Sequence, residues 1–239
     1  MRSKGKAVLF FIMLSVYGTS VYAQNQAIQN EINRQQRNSQ SAWGNCLVSD
    51  TWILSDYSGS MEGYESRVFG AAHEIGNGIL KENAKARVGV LLFNDQQTVV
   101  QQLTNDKVQL NQSLDLFRNV GAEGGTQIYR AMLATEYLQN TTPTSRFSQD
   151  GDFRKIIILI SDGEDGSSEK SLKVAQYLKA QGWIIYSIFV HRNDVSPEEE
   201  GGYQFLKSIS GNHIVGSSYV DSVLLDDLPR HFREKFTCI

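Results

Sequence analysis

The sequence has two cysteines, four histidines and fewer basic than acidic residues, and past its first 23 positions it has no apolar run of membrane-spanning length. Each shortage removes a class of function. His73, His191, His213 and His231 are scattered without ligand spacing, and the cysteines stand near opposite ends, so a typical zinc or copper centre is excluded. There is no internal repeat, and no low-complexity tract beyond one polar segment near the start. What is there is 239 residues, 41% of them hydrophobic, enough for one domain with a sizeable core.

Residues 1–23 stand apart from that domain. Arg2, Lys4 and Lys6 precede an apolar stretch from Ala7 to Val16, and Val21-Tyr22-Ala23 ends it in the manner of a signal-peptidase site. We expect a secretory signal peptide cleaved after Ala23. The alternative is an uncleaved anchor, against which Gly18, Thr19 and Ser20 interrupt the apolar stretch. No cysteine sits at the cut, so lipid attachment there is not supported. The mature chain is therefore expected to be secreted, at a cell surface or periplasmic, with no membrane span. Removing the three basic residues leaves 20 Lys and Arg against 26 Asp and Glu, a net charge of about −6, which argues against nucleic acid as a partner.

From Gln24 to Ser41 the chain is mostly Gln, Asn, Arg and Ser, with Ala27, Ile28 and Ile32 as spaced apolar residues. Such a segment cannot bury enough surface to fold alone. We read residues 24–45 as a polar leader, either flexible or a short helix that docks through Ile28 and Ile32. Docking on a neighbour would be a route to homo- or hetero-oligomers. Residues 46–239 form the domain. Cys46 and Cys238 flank it, and in an oxidising compartment they read as one disulfide joining its ends, the alternative being two unrelated free thiols. In the chain-entropy model closing so long a loop is worth about 5 kcal/mol.

Within the domain, apolar runs of strand length alternate with segments of helical period, the pattern of a parallel sheet covered on both faces. Strands are expected at Thr51 to Leu54, Arg87 to Asn94, Thr98 to Leu103, Lys155 to Ser161, Ile184 to Val190 and His213 to Val215. Helices are expected at Tyr64 to Leu80, Val108 to Phe117, Ile128 to Leu138, Ser171 to Ala180, Tyr203 to Ile209 and Val220 to Phe236. Only Asn94-Asp95-Gln96-Gln97 separates the apolar run Arg87 to Phe93 from Thr98-Val99-Val100, too short for a crossover, so these two form a hairpin. The expected fold class is α/β: a doubly wound, mostly parallel six-stranded sheet with one antiparallel edge strand and helices on both faces.

In such sheets ligands gather at the carboxyl ends of the strands. Three loops there carry small oxygen donors. Asp56-Tyr57-Ser58-Gly59-Ser60 follows the first strand, and alternation in an extended segment points Asp56, Ser58 and Ser60 to one side. Gly59 lets the backbone turn between the serines. In Gly124-Gly125-Thr126 two glycines allow a tight turn that presents the Thr126 hydroxyl at a helix start. In Ile160-Ser161-Asp162-Gly163, Asp162 stands at the end of the fourth strand, whose run Ile156 to Ile160 is wholly apolar. Two carboxylates and three hydroxyls, without nitrogen or sulfur, favour a hard divalent cation: Mg²⁺, or Mn²⁺ or Ca²⁺. Two carboxylates only balance its charge, so an open coordination position would attract an external anion.

The three parts, Asp56-x-Ser58-x-Ser60, Thr126 in "GGTQIYRAM" and Asp162 in "ILISDGED", resemble the metal-ion-dependent adhesion site of a von Willebrand factor type A domain. The resemblance runs from about Cys46 to Ile239. It implies a Rossmann-like fold with the metal at the top of the sheet. It also implies that Ser58, Ser60 and Thr126 contact the ion directly or through water. By the same resemblance Asp56 and Asp162 would do either, according to conformational state, and an Asp or Glu of a protein partner would complete the shell. Cys46 and Cys238 resemble the terminus-joining disulfide of some secreted members.

Glu62 and Tyr64, and Glu164 and Asp165, flank the first and third parts and are candidates for a rim around the ion; the alternatives are the solvent face of a helix and a helix-capping loop. Ser196 to Gly202 is helix-start material that could overhang the site. The functional expectation is a non-enzymatic adhesion or assembly module. The alternative is a structural subunit of a surface filament or secretion assembly that uses the leader. A Mg²⁺-dependent phosphohydrolase fits less well: the position two after Asp56, where an acid/base carboxylate is needed, is Ser58, and no suitably placed lysine is evident near Asp162.

Overall fold

The computed structural model describes residues 49–82, 85–141, 154–190 and 201–210, all within the unit Asn45–Ile239. Five strands appear among them: β1 (Ser49–Asp56), β2 (Arg87–Phe93), β3 (Gln97–Thr104), β4 (Arg154–Ser161) and β5 (Trp183–Phe189). Five helices accompany them: α1 (Glu65–Glu82), α2 (Lys107–Phe117), α3 (Ile128–Thr141), α4 (Ser168–Ala180) and α5 (Gly201–Ser210). The sheet order is β3-β2-β1-β4-β5. β1 runs parallel to β2 and β4, and β4 to β5, while β3 returns antiparallel on the edge beside β2. The expected sixth strand at His213 to Val215 and the helix at Val220 to Phe236 lie outside the described residues, so six strands become five among those described. Cys46, Cys238, the leader and residues 1–23 lie outside them too.

The doubly wound arrangement follows from period-2 alternation in strands that are buried on both sides. Ile53, Val90 and Ile158 face Ile75, Leu110 and Leu114 of α1 and α2. Their neighbours Trp52, Leu91 and Ile157 face Met132, Leu178 and Leu206 of α3, α4 and α5. All eight residues of β1 are buried. Hydrophobicity marks only the middle of this strand, because its polar ends, Ser49-Asp50 and Ser55-Asp56, owe their burial to pairing: Asp50 is in register with Arg87 and Asp56 with Phe93.

The amino end of the sheet is closed by a buried polar network. Asp50 accepts hydrogen bonds from Arg87 Nε at 2.7 Å and from Gln139 Nε2 at 2.7 Å, and Gln139 in turn accepts from Trp52 Nε1 at 3.1 Å. The carboxyl end is left to the loops. No helix among the described residues is long and apolar enough to cross a membrane.

Candidate metal centre

β1 delivers Asp56 at the centre of the sheet, fully buried, and the chain then breaks into a single 3-10 turn, Gly59–Met61. The break is local: the Ser58 amide donates to Asp56 Oδ1 at 2.9 Å, an Asx-type bond that competes with continued strand. This brings the Ser58 and Ser60 hydroxyls to 3.1 Å from one another, Ser58 buried and Ser60 half-buried. β4, parallel and adjacent, ends one residue before Asp162, which is 3% exposed. The Glu164 amide donates to Asp162 Oδ1 at 3.0 Å.

Ser161 joins the first part to the third. Its hydroxyl donates to Asp56 Oδ2 at 2.6 Å and accepts from the Gly163 amide at 3.0 Å. Burial pushes the Asp56 carboxyl up to about 6; hydrogen bonds from Ser161 and Ser58 pull it down, and the nearby charge of Asp162 adds to the rise. Two acids, one ending β1 and one directly after β4, are thus close enough to feel each other in a desolvated position.

The second part is tied to the first through the backbone. The Gly59 amide donates to the Gly124 carbonyl at 2.9 Å, and the Glu123 amide to the Tyr57 carbonyl at 2.9 Å. A Cβ at Gly59 would sit 3.3 Å from that Gly124 oxygen, and Gly59 is absent from the positive-φ glycines. Its glycine therefore serves close approach of two loops rather than the turn that the sequence suggests. Gly124 does carry a positive φ, 74°. Thr126 is half-buried, two residues ahead of α3, on the loop that these bonds hold. Asp56, Ser58, Ser60 and Asp162 are thus linked through direct contacts and the Asp56–Asp162 interaction, whereas Thr126 is linked to them through its loop.

Of the rim candidates, Glu62 and Glu164 are exposed. Tyr64 packs against the α1-side core and lies under the Arg67 guanidinium at 5.7 Å. Asp165 accepts from the Ser167 amide at 3.0 Å and from the Ser171 hydroxyl, which occupies it in organising the start of α4. Residues 196–200 lie outside the described residues, but Gly202 stands directly against the third part. A methyl group on Gly202 would overlap the Asp162 carbonyl, and one on Gly163, whose φ is 75°, would overlap the Gly202 backbone.

Sequence reasoning missed three contributors. Ser161 was visible as a polar residue ending an apolar strand next to Asp162. Asp95, in the β2–β3 turn, accepts from the Gly125 amide at 2.8 Å and from Gln127 Nε2 at 3.3 Å, and so clamps the threonine loop. Its only signal was an acid in a tight turn. Gly202 had no signal beyond being a glycine at a helix start.

The donor set suits a hard divalent cation: two carboxylates and adjacent hydroxyls, all oxygen, converging from separate loops. Among the described residues no group of three or more His, Cys, Asp and Glu is placed to hold a metal, so the hydroxyls are essential to any site here.

Comparison with known proteins agrees with this architecture. The family model described as von Willebrand factor type A domain matches residues 50–221. No curated protein matches the chain. Among solved structures, manganese-loaded TRAP protein of Plasmodium vivax superposes with a TM-score of 0.59 at 17% identity, covering 79% of this chain and 72% of that one. An aerotolerance-related membrane protein of Bacteroides fragilis gives 0.58 at 16%, covering 79% and 98%. The von Willebrand domain of the type V pili tip protein Mfa5 of Porphyromonas gingivalis gives 0.57 at 13%, covering 80% and 94%. At such identities these likenesses concern the fold.

Proposed function

The chain belongs to the von Willebrand factor type A domain family, and from that membership we propose a non-enzymatic protein-binding module whose metal-ion-dependent adhesion site captures a carboxylate of a protein partner. The observation that carries this reading is the meeting of Asp56 and Asp162, both buried, beside the paired hydroxyls of Ser58 and Ser60. Burying two like charges together is costly unless a cation joins them.

In this reading Asp56, Ser58, Ser60, Thr126 and Asp162 hold the ion. Ser161 fixes the rotamer of Asp56, and Asp95 holds the threonine loop in place. A bound Mg²⁺ or Mn²⁺ would supply charge and an open position for an Asp or Glu of the partner. The manganese in the TRAP structure and the pilus-tip role in the name of the Mfa5 protein support metal use and an adhesive role by likeness. The reading includes export through residues 1–23, a leader over 24–45 and a disulfide between Cys46 and Cys238.

The test is capture of partners from the native compartment on the immobilised mature chain, in Mg²⁺ and in EDTA. Binding is expected to require Mg²⁺ and to be released by EDTA. A partner retained equally in EDTA contradicts the proposal.

A further inference from the structure

A cleft of about 360 Å³ opens between the β2–β3 turn and the segment that follows α2. Tyr57, Phe93, Phe117 and Val120 give it an apolar wall. Its charged lining residues, Asp95 and Glu123, are both acidic and both exposed.

The cleft is built into the loops of the candidate metal centre. Tyr57 stands between Asp56 and Ser58 in the chain, the Glu123 amide is bonded to the Tyr57 carbonyl, and Asp95 holds the Gly125 amide. An occupant needs a long aliphatic stem to cover the aromatic wall and a cationic head to meet the two carboxylates. Lysine and arginine have both; a neutral or acidic side chain lacks one. Acid against acid would be repelled, so the cleft also disfavours the group that the metal site attracts.

We propose that this cleft receives an arginine or lysine of the partner, a few residues from the carboxylate that meets the metal. The pairing of the two groups on one partner rests on the proposed function; the cation preference of the cleft does not. The partner is then recognised by an acidic and a basic residue close together, and a carboxylate flanked by other acids is rejected.

The experiment uses the ¹⁵N-labelled mature chain in EDTA, so that the cleft is probed without metal. Agmatine, a four-carbon stem with a guanidinium at one end and an ammonium at the other, the two head groups of arginine and lysine, is titrated against the amide resonances of Gln96, Gly121 and Glu123, with 1-pentanol and glutarate as neutral and anionic controls. Agmatine is expected to give saturable shifts that pentanol and glutarate do not match. Glu123→Gln is expected to weaken its binding about fivefold, the upper range for an exposed charge pair. The proposal is overturned if agmatine gives no saturable shift, if pentanol matches it, or if Glu123→Gln binds it unchanged. A separate Mn²⁺ titration keeps the two readings apart. Agmatine binding without Mn²⁺ binding leaves the cleft standing and removes the metal site, and the converse removes the cleft alone.

Discussion

The Ser161 hydroxyl, at the end of β4, donates to Asp56 Oδ2 at the end of β1 across 2.6 Å, between residues 105 positions apart in the chain. It is the side-chain bond by which the third part of the centre orients the first. Groups that orient a metal ligand commonly change metal affinity by 10- to 100-fold when removed. Ser161→Ala is therefore expected to weaken Mn²⁺ binding about tenfold, read by electron paramagnetic resonance titration, with the circular dichroism spectrum unchanged. Unchanged affinity would show that Asp56 is held without Ser161.

Gly163 and Gly202 touch backbone to backbone, which fixes the start of α5 against the Asp162 loop. Alanine at Gly163 faces a positive φ, costing about 1 kcal/mol, and an overlap with backbone that no rotamer relieves. Gly163→Ala is expected to lose more than about 2 kcal/mol in guanidinium unfolding. Gly166→Ala is the control: it meets nothing within 4 Å and its φ is not positive, so it should be near neutral. Equal midpoints for the two variants would sink the argument.

The Asp56 acid makes metal-free stability depend on pH with a definite sign. Its folded-state value is raised from 3.8 to about 6, so the folded chain holds this proton more tightly than the unfolded chain. The associated stability is fully present below pH 3.8 and is lost as pH rises through about 6. The shift corresponds to roughly 3 kcal/mol. In EDTA, therefore, the difference in stability between the natural chain and Asp56→Asn should move in favour of the asparagine variant from pH 4 to pH 7. A difference that stays flat across that window contradicts the placement of Asp56 in a desolvated site.

Much of this was legible from the residues alone, because the informative signals were local. The apolar runs of β2, β4 and β5 are dense enough to read directly, and the four residues Asn94 to Gln97 between Phe93 and Thr98 permit only a hairpin. The three loops were marked by their donors. The ends of β1 were not legible, since Ser49, Asp50, Ser55 and Asp56 are polar and are buried by pairing with β2 and β4. The bonds that join the loops were also hidden. Gly59 to Gly124 and Glu123 to Tyr57 are backbone bonds, and backbone bonds leave no side-chain signature. Asp95 and Gly202 act only through residues far along the chain.

The most direct test of the central claim is Mn²⁺ binding to the mature chain and to its Asp56→Ala and Asp162→Ala variants, measured by calorimetry with circular dichroism as the fold control. We predict one site per chain, lost in both variants while the spectrum is retained. One Mn²⁺ bound with unchanged affinity by both variants would contradict the assignment of the centre.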